Sequence, residues 1–213
     1  YGIHDFDDKL ADISPQALAK QDSRFREFLK QLSAIDKSQL KRTEQMNLLI
    51  QERLLQNYLA QFRFTAHYMP LTSSSSFHSG LAFLPRSSRF NSVADYQNYL
   101  SRLKQFPVYF EQQINWMKKG IQSGFVQPKA VLLGFEDSVK AFVHDSPEDS
   151  VFFAPFTHFQ NEHVSSKDQN QLRQQAKQII SEQVFVAYQQ FYDFLMDQLE
   201  KLDVIRLPGN HHL

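Results

Sequence analysis

Between Ser92 and Val143 the apolar residues recur with a helical period that is interrupted at clear breakpoints. Tyr96, Tyr99, Leu100, Leu103 and Phe106 fall at spacings of three and four, which places them on one stripe of a helix. Ser92 and Asp95 predict its start, the hydroxyl accepting from an orphan amide and the carboxylate favouring the positive helix end. Pro107 has no amide hydrogen, so it ends or kinks that helix and suits the first turn of the next. Phe110, Ile114, Met117 and Ile121 carry the second helix to the breakers Gly120 and Gly124. Pro128 opens a third, bearing Val131, Leu132, Phe135, Val139 and Phe142, and helices with such short joints are predicted to be packed neighbours.

Upstream, Ser14 and Pro15 predict a cap and first turn for a helix to about Ile35, with Leu18, Phe25, Leu29 and Leu32 inward. Thr43 is expected to cap a second helix whose apolar face, Met46, Leu49, Ile50, Leu54, Tyr58 and Phe62, runs to about His67. Residues 1–67 are therefore expected to form a helical hairpin. From Tyr68 to Asn91 the period is lost, and a loop of that length is either functional or disordered. Its interleaved Met69, Leu71, Phe77, Leu81, Phe83, Leu84 and Phe90 argue for an ordered, extended segment lying against something, such as the remainder of a larger protein.

Beyond the central helices, Pro147 and Pro155 forbid a long helix, and Phe152, Phe153, Phe156 and Phe159 read as a packing plug. Ser166 then caps the longest periodic run, to about Leu202, which at the helical rise is on the order of 50 Å long. The predicted fold is all-α: a multi-helix bundle or array of one unit, with a long C-terminal helix at 166–202 and an extended loop at about 68–91.

Composition supports that class. Six glycines and eight prolines in 213 residues suit helices better than a sandwich or barrel, and 20 phenylalanines suit a thick helical core. Basic and acidic residues balance at 23 each, so no electrostatic footprint for nucleic acid stands out. The chain has no cysteine, which excludes disulfides, thiolate nucleophiles and thiolate metal sites. No apolar run is long enough to span a bilayer. The chain opens at Tyr1-Gly2 without an initiator methionine, as a processed or trimmed product would.

Candidate chemistry is sparse. The eight histidines include no His-Glu-x-x-His pattern, and His158 with His163, five apart beside Glu162, read as structural. His4 with Asp5, Asp7 and Asp8 offers cation-binding residue types, but the spacing matches no calcium loop and solvated charge is the favoured reading. Glu136-Asp137 and Glu148-Asp149 are expected to face water. On the long loop, the guanidiniums of Arg86 and Arg89 have the forked shape that can clamp a carboxylate, although solvated loop charge is the favoured reading. With His78 they form the set of substrate-cleft candidates; no residue is assigned a catalytic, cofactor or metal role.

Four stretches carry a family resemblance: GIHDFDDKLADISPQALAK, LSAIDKSQL with the helix after it, the long loop leading into DYQNYLSRLKQFP, and FEQQINWMKKGIQSGFVQPKAVL. In order and across essentially the whole chain they resemble the N-terminal half of the bacterial domain-of-unknown-function family 885. That resemblance implies a helical relative of zinc metallopeptidases, many of them exported and some lipoproteins. The zinc would lie in a C-terminal catalytic half, whose motif is a His-Glu pair followed by Pro-Gly-His-His. The tail Pro208-Gly209-Asn210-His211-His212 echoes it but lacks the His-Glu and inserts Asn210, so no metal role is carried over.

Two functional expectations follow. In the first, these residues are the non-catalytic helical portion of an exported metallopeptidase-like protein, periplasmic or at the outer membrane with a lipid anchor upstream. Its own catalytic half would be its partner, and the helices would shape a cleft for peptide substrate. In the second, the chain is a stand-alone helical module that binds a peptide or protein.

Overall fold

The structure, a computed structural model, describes residues 4–72, 75–159 and 164–204. Helices α1 (Pro15–Ser33) and α2 (Arg42–Arg63) form the expected antiparallel hairpin. Ser14 caps α1 by accepting from the Ala17 amide at 3.2 Å. The start of α2 differs from expectation. Lys41, not Thr43, is its N-cap, and the Lys41 amide donates to Glu44 at 2.8 Å, so a glutamate already favoured at the positive helix end also satisfies the backbone.

The segment from 68 to 91 is ordered through its described residues, but only partly extended. Strands β1 (Leu71–Thr72) and β2 (Ser75–Ser76) pair antiparallel, Leu71 opposite Ser76. Two short helices follow, α3 (Phe77–Leu81) and α4 (Leu84–Ser87), each too brief to show a period in sequence. Buried Leu71 and half-buried Phe77, Leu81 and Leu84 lie against the main core, so the apolar residues of this segment do rest on something within the chain.

Helices α5 (Val93–Lys104) and α6 (Phe106–Ser123) meet at Pro107 as predicted, with Ser92 accepting from the Asp95 amide at 3.2 Å. The third predicted helix is two pieces, α7 (Lys129–Leu132) and α8 (Phe135–Lys140). Gly134 separates them at φ +89°, a left-handed conformation that stops an α-helix and that glycine adopts without steric cost. After α9 (Ala154–Thr157), the long C-terminal run begins at Ser166, with Ser165 rather than Ser166 as its cap. It is α10 (Ser166–Ile179), one wider π turn at Ile180–Val184, and α11 (Phe185–Val204). Ile180, Val184, Ala187 and Tyr188 are all fully buried along this stretch.

The core gathers where α11 meets α6 and α8, and where α10 meets α5. Phe106, Phe110, Phe152, Phe191 and Tyr188 are fully buried; Phe106 stacks on Phe110 and the other ring pairs meet at tilted or edge-to-face angles, arrangements that aromatic quadrupoles favour. Phe152, Phe153 and Phe156 form the predicted plug. The buried Tyr99 hydroxyl donates to the Phe152 carbonyl at 2.9 Å and that of Tyr188 to the His78 carbonyl at 2.7 Å, so neither polar tip is left unpaired.

The hairpin is built differently. Leu18, Phe25, Leu29 and Leu32 are half-buried, and Leu48 is the one buried residue of α2. Met46, Leu49, Ile50, Leu54 and Tyr58 stay exposed, between 43% and 54%, although their spacing is that of a core face. The pattern is present and the cover is missing, because α1 shields only one side of α2.

Candidate functional site

The acidic N-terminal segment keeps His4 and Asp5 exposed and Asp7 and Asp8 half-exposed, as the solvated-charge reading expects, while its backbone is strapped across α5 and α6 by their polar side chains. Gln105 accepts from the Leu10 amide at 3.0 Å and donates to the Asp8 carbonyl at 2.7 Å. One turn beyond Pro107, Gln112 accepts from the Ile13 amide at 3.0 Å and donates to Asp12 at 2.9 Å. Trp116 donates its indole N–H to the Ile13 carbonyl at 2.7 Å, and Arg102 reaches the Phe6 carbonyl at 3.3 Å. Hydrogen bonds from the Ser14 amide and then from its hydroxyl hold the Asp12 carboxyl below its usual range.

This strap roofs a polar pocket of about 230 Å³ whose floor is the α4–α5 link and the first turns of α5. Arg89, Arg102, His4, Asp7 and Asp95 line it. His4 Nδ1 lies 2.9 Å from Asp7 and its Nε2 lies 2.7 Å from Arg89 Nη1. One tautomer serves both contacts, with Nδ1–H donating to the carboxylate and Nε2 accepting from the guanidinium. Asp95 is occupied in accepting from the Asn91 amide at 2.8 Å.

The three sequence candidates part company. Arg89 is in this pocket. Arg86 is exposed and outside it, so the two loop arginines do not share this pocket, and the second guanidinium comes from Arg102, which sequence reasoning missed. His78 is fully buried and lines no surface cleft. Ser138 donates to the Phe135 carbonyl at 2.6 Å, so its oxygen accepts from His78 Nε2–H at 3.0 Å, while Nδ1 has no partner. Burial lowers the His78 pKa to about 4, which keeps the ring neutral.

A second cavity is apolar. It holds about 350 Å³ between the 68–71 segment, α6, α7 and α11, walled by Met69, Leu71, Met117, Ile121, Leu132 and Leu195. Gln127 donates to the Leu71 carbonyl at 3.0 Å and fixes one wall. Among the described residues no group of three or more His, Asp or Glu is placed to hold a metal ion. His67, His78 and His144 each meet aromatic rings: His67 lies 4.4 Å from the Trp116 ring and His144 6.1 Å from Phe185. His163, His211 and His212 lie outside the described residues. No described helix is long and apolar enough to cross a membrane.

The class so defined is a helical array, with one minimal strand pair, that has an aromatic core, a polar strap pocket and an apolar groove. Residues 1–204 match the family model described as "Bacterial protein of unknown function (DUF885)", and the chain belongs to that family. No curated protein matches the sequence. Among solved structures, the chain is similar to one described as a "putative lipoprotein" from Colwellia psychrerythraea, at 14% identity and a TM-score of 0.81. The match covers 92% of this chain and 35% of that one, so this chain spans about a third of that protein's length.

Proposed function

We propose that these residues are the helical, non-catalytic portion of a longer, exported bacterial protein of the metallopeptidase type, and that they wall the approach of a peptide to a reactive centre outside this chain. The observation that carries this reading is the fit of nearly the whole chain onto only 35% of a longer relative of the same architecture. The exposed face of α2 supports it. Fully burying a Leu, Ile or Met side chain is worth roughly 1.5–3 kcal/mol, so the row Met46, Leu49, Ile50 and Leu54, each left about half exposed, forfeits part of that stabilisation, which a covering domain would recover. The apolar groove would receive the same remainder.

The peptidase assignment rests on the sequence resemblance, and so does zinc. Among the described residues no group of three or more His, Asp or Glu is placed to hold that ion, and the reading puts zinc in the remainder. Export, to the periplasm or the outer membrane through a lipid anchor upstream, belongs to the same proposal. A second reading, a free-standing module that takes an apolar peptide, is favoured by the groove alone. Intact mass and zinc content of the protein isolated from its native cells separate the two. The proposal expects a polypeptide far larger than 25.0 kDa carrying stoichiometric zinc. A native product of 25.0 kDa without zinc would sink it and leave the free-standing module.

A further inference from the structure

We infer that the pocket beneath the N-terminal strap is a binding site for a carboxylate, gripped by Arg89 and Arg102. The inference does not depend on whether the chain is one part of a peptidase.

Two guanidiniums face one cavity, and among the described residues neither has a carboxylate within ion-pairing distance. Arg102 donates only through long contacts, 3.4 Å to the Ser88 hydroxyl and 3.3 Å to the Phe6 carbonyl, and its Nε is closed off from solvent without a partner. Charge-assisted bonds from guanidinium to carboxylate run about 2.7–2.9 Å. The Arg102 charge is therefore half-buried and poorly compensated, with Nη1 and Nη2 the groups that an incoming anion would meet. Arg89 is held at the mouth by the Asp7–His4 relay, which orients its fork without neutralising it directly. The structure thus fixes two cationic forks and leaves their anionic partner to come from outside.

The walls also choose the anion. Asp7 and Asp95 share the lining, so a dianionic phosphate meets repulsion that a single carboxylate largely escapes. About 230 Å³ admits a small organic acid or the end of a peptide, and Ser87, Ser88 and Asn98 supply neutral polar contacts around it.

The test is a titration of the full chain, followed by ¹⁵N–¹H spectra, with trialanine, with trialanine amide and with inorganic phosphate. The expected result is a saturable shift of the Ser88 and Arg89 amides and the Arg102 Nε–H with trialanine alone. Arg89→Gln, which leaves the Arg102 tether to the strap in place, should weaken binding about tenfold or more. Arg86→Gln, outside the pocket, should not change it. Equal binding of the amide, tighter binding of phosphate, unchanged affinity in Arg89→Gln, or no shift at any ligand concentration reached would each overturn the assignment.

Discussion

His78 is a buried ring that must stay neutral, and acid tests that directly. Phe77, Phe135, Phe142 and Phe191 surround it at ring-centroid distances of 5.6–6.2 Å, and no charged group is among these contacts. Desolvation lowers its pKa from 6.5 to about 4. Because the folded value is the lower one, the unfolded chain binds the proton first, and stability is lost as pH falls below 6.5 and is fully lost near 4. The shift of about 2.5 units corresponds to a loss of about 2 kcal/mol by pH 5 and about 3 kcal/mol by pH 4. Urea unfolding of the wild type and of His78→Gln at pH 7 and pH 5 measures it. Glutamine keeps a donor for Ser138 and does not titrate, so contributions from carboxylates elsewhere cancel in the comparison. The wild type should lose about 2 kcal/mol more than the variant between the two pH values. Parallel losses in the two proteins would refute the account of His78 as a neutral core residue.

Two further substitutions probe the backbone. A Cβ at Gly120 would sit 2.7 Å from the Phe125 carbonyl and 3.2 Å from the Tyr68 backbone and Cβ, so Gly120→Ala should destabilise by about 1–3 kcal/mol despite alanine's better helix propensity, measurable as a lowered urea midpoint. Thr65, after the end of α2, is held at φ 52° and ψ 35°, a conformation that costs a β-branched residue roughly 1–2 kcal/mol. Thr65→Gly should therefore raise the midpoint, and a lower one would show that the Thr65 side chain makes a compensating contact.

The helices of the body were legible because each stripe has a partner. The spacing of Tyr96, Tyr99, Leu100 and Leu103 in sequence is the spacing of a face that α10 covers. The same spacing in α2 marks a real apolar face that stays exposed, since periodicity reports a face and not its cover. Gly134 carries the same breaker signal as Gly124, but the apolar spacing of Val131, Leu132, Phe135 and Val139 runs across it and so predicts one helix where there are two. The π turn at Ile180–Val184 was not readable. Spacings of four from Ile180 to Val184 to Tyr188 suit an α-helix as well as the wider turn.

The polar pocket stayed hidden for a different reason: its walls come from the N-terminal strap, the 87–89 link and α5, and local pattern carries no information about contacts 85 to 96 residues apart. One signal was present. Arg102, Gln105, Gln112 and Trp116 recur at near-helical spacing on either side of Pro107, a polar stripe with more donor capacity than a solvated face needs. Their chemistry is specific to the task. Gln105 and Gln112 each use the carbonyl to accept from a backbone amide and the amide to donate to an oxygen of the strap. A glutamate at either position would lose the donor and set a carboxylate against Asp8 or Asp12, and a lysine would lose the acceptor. The strap, and with it the placement of His4 and Asp7 over the two arginines, thus depends on side chains that offer both halves of a hydrogen bond.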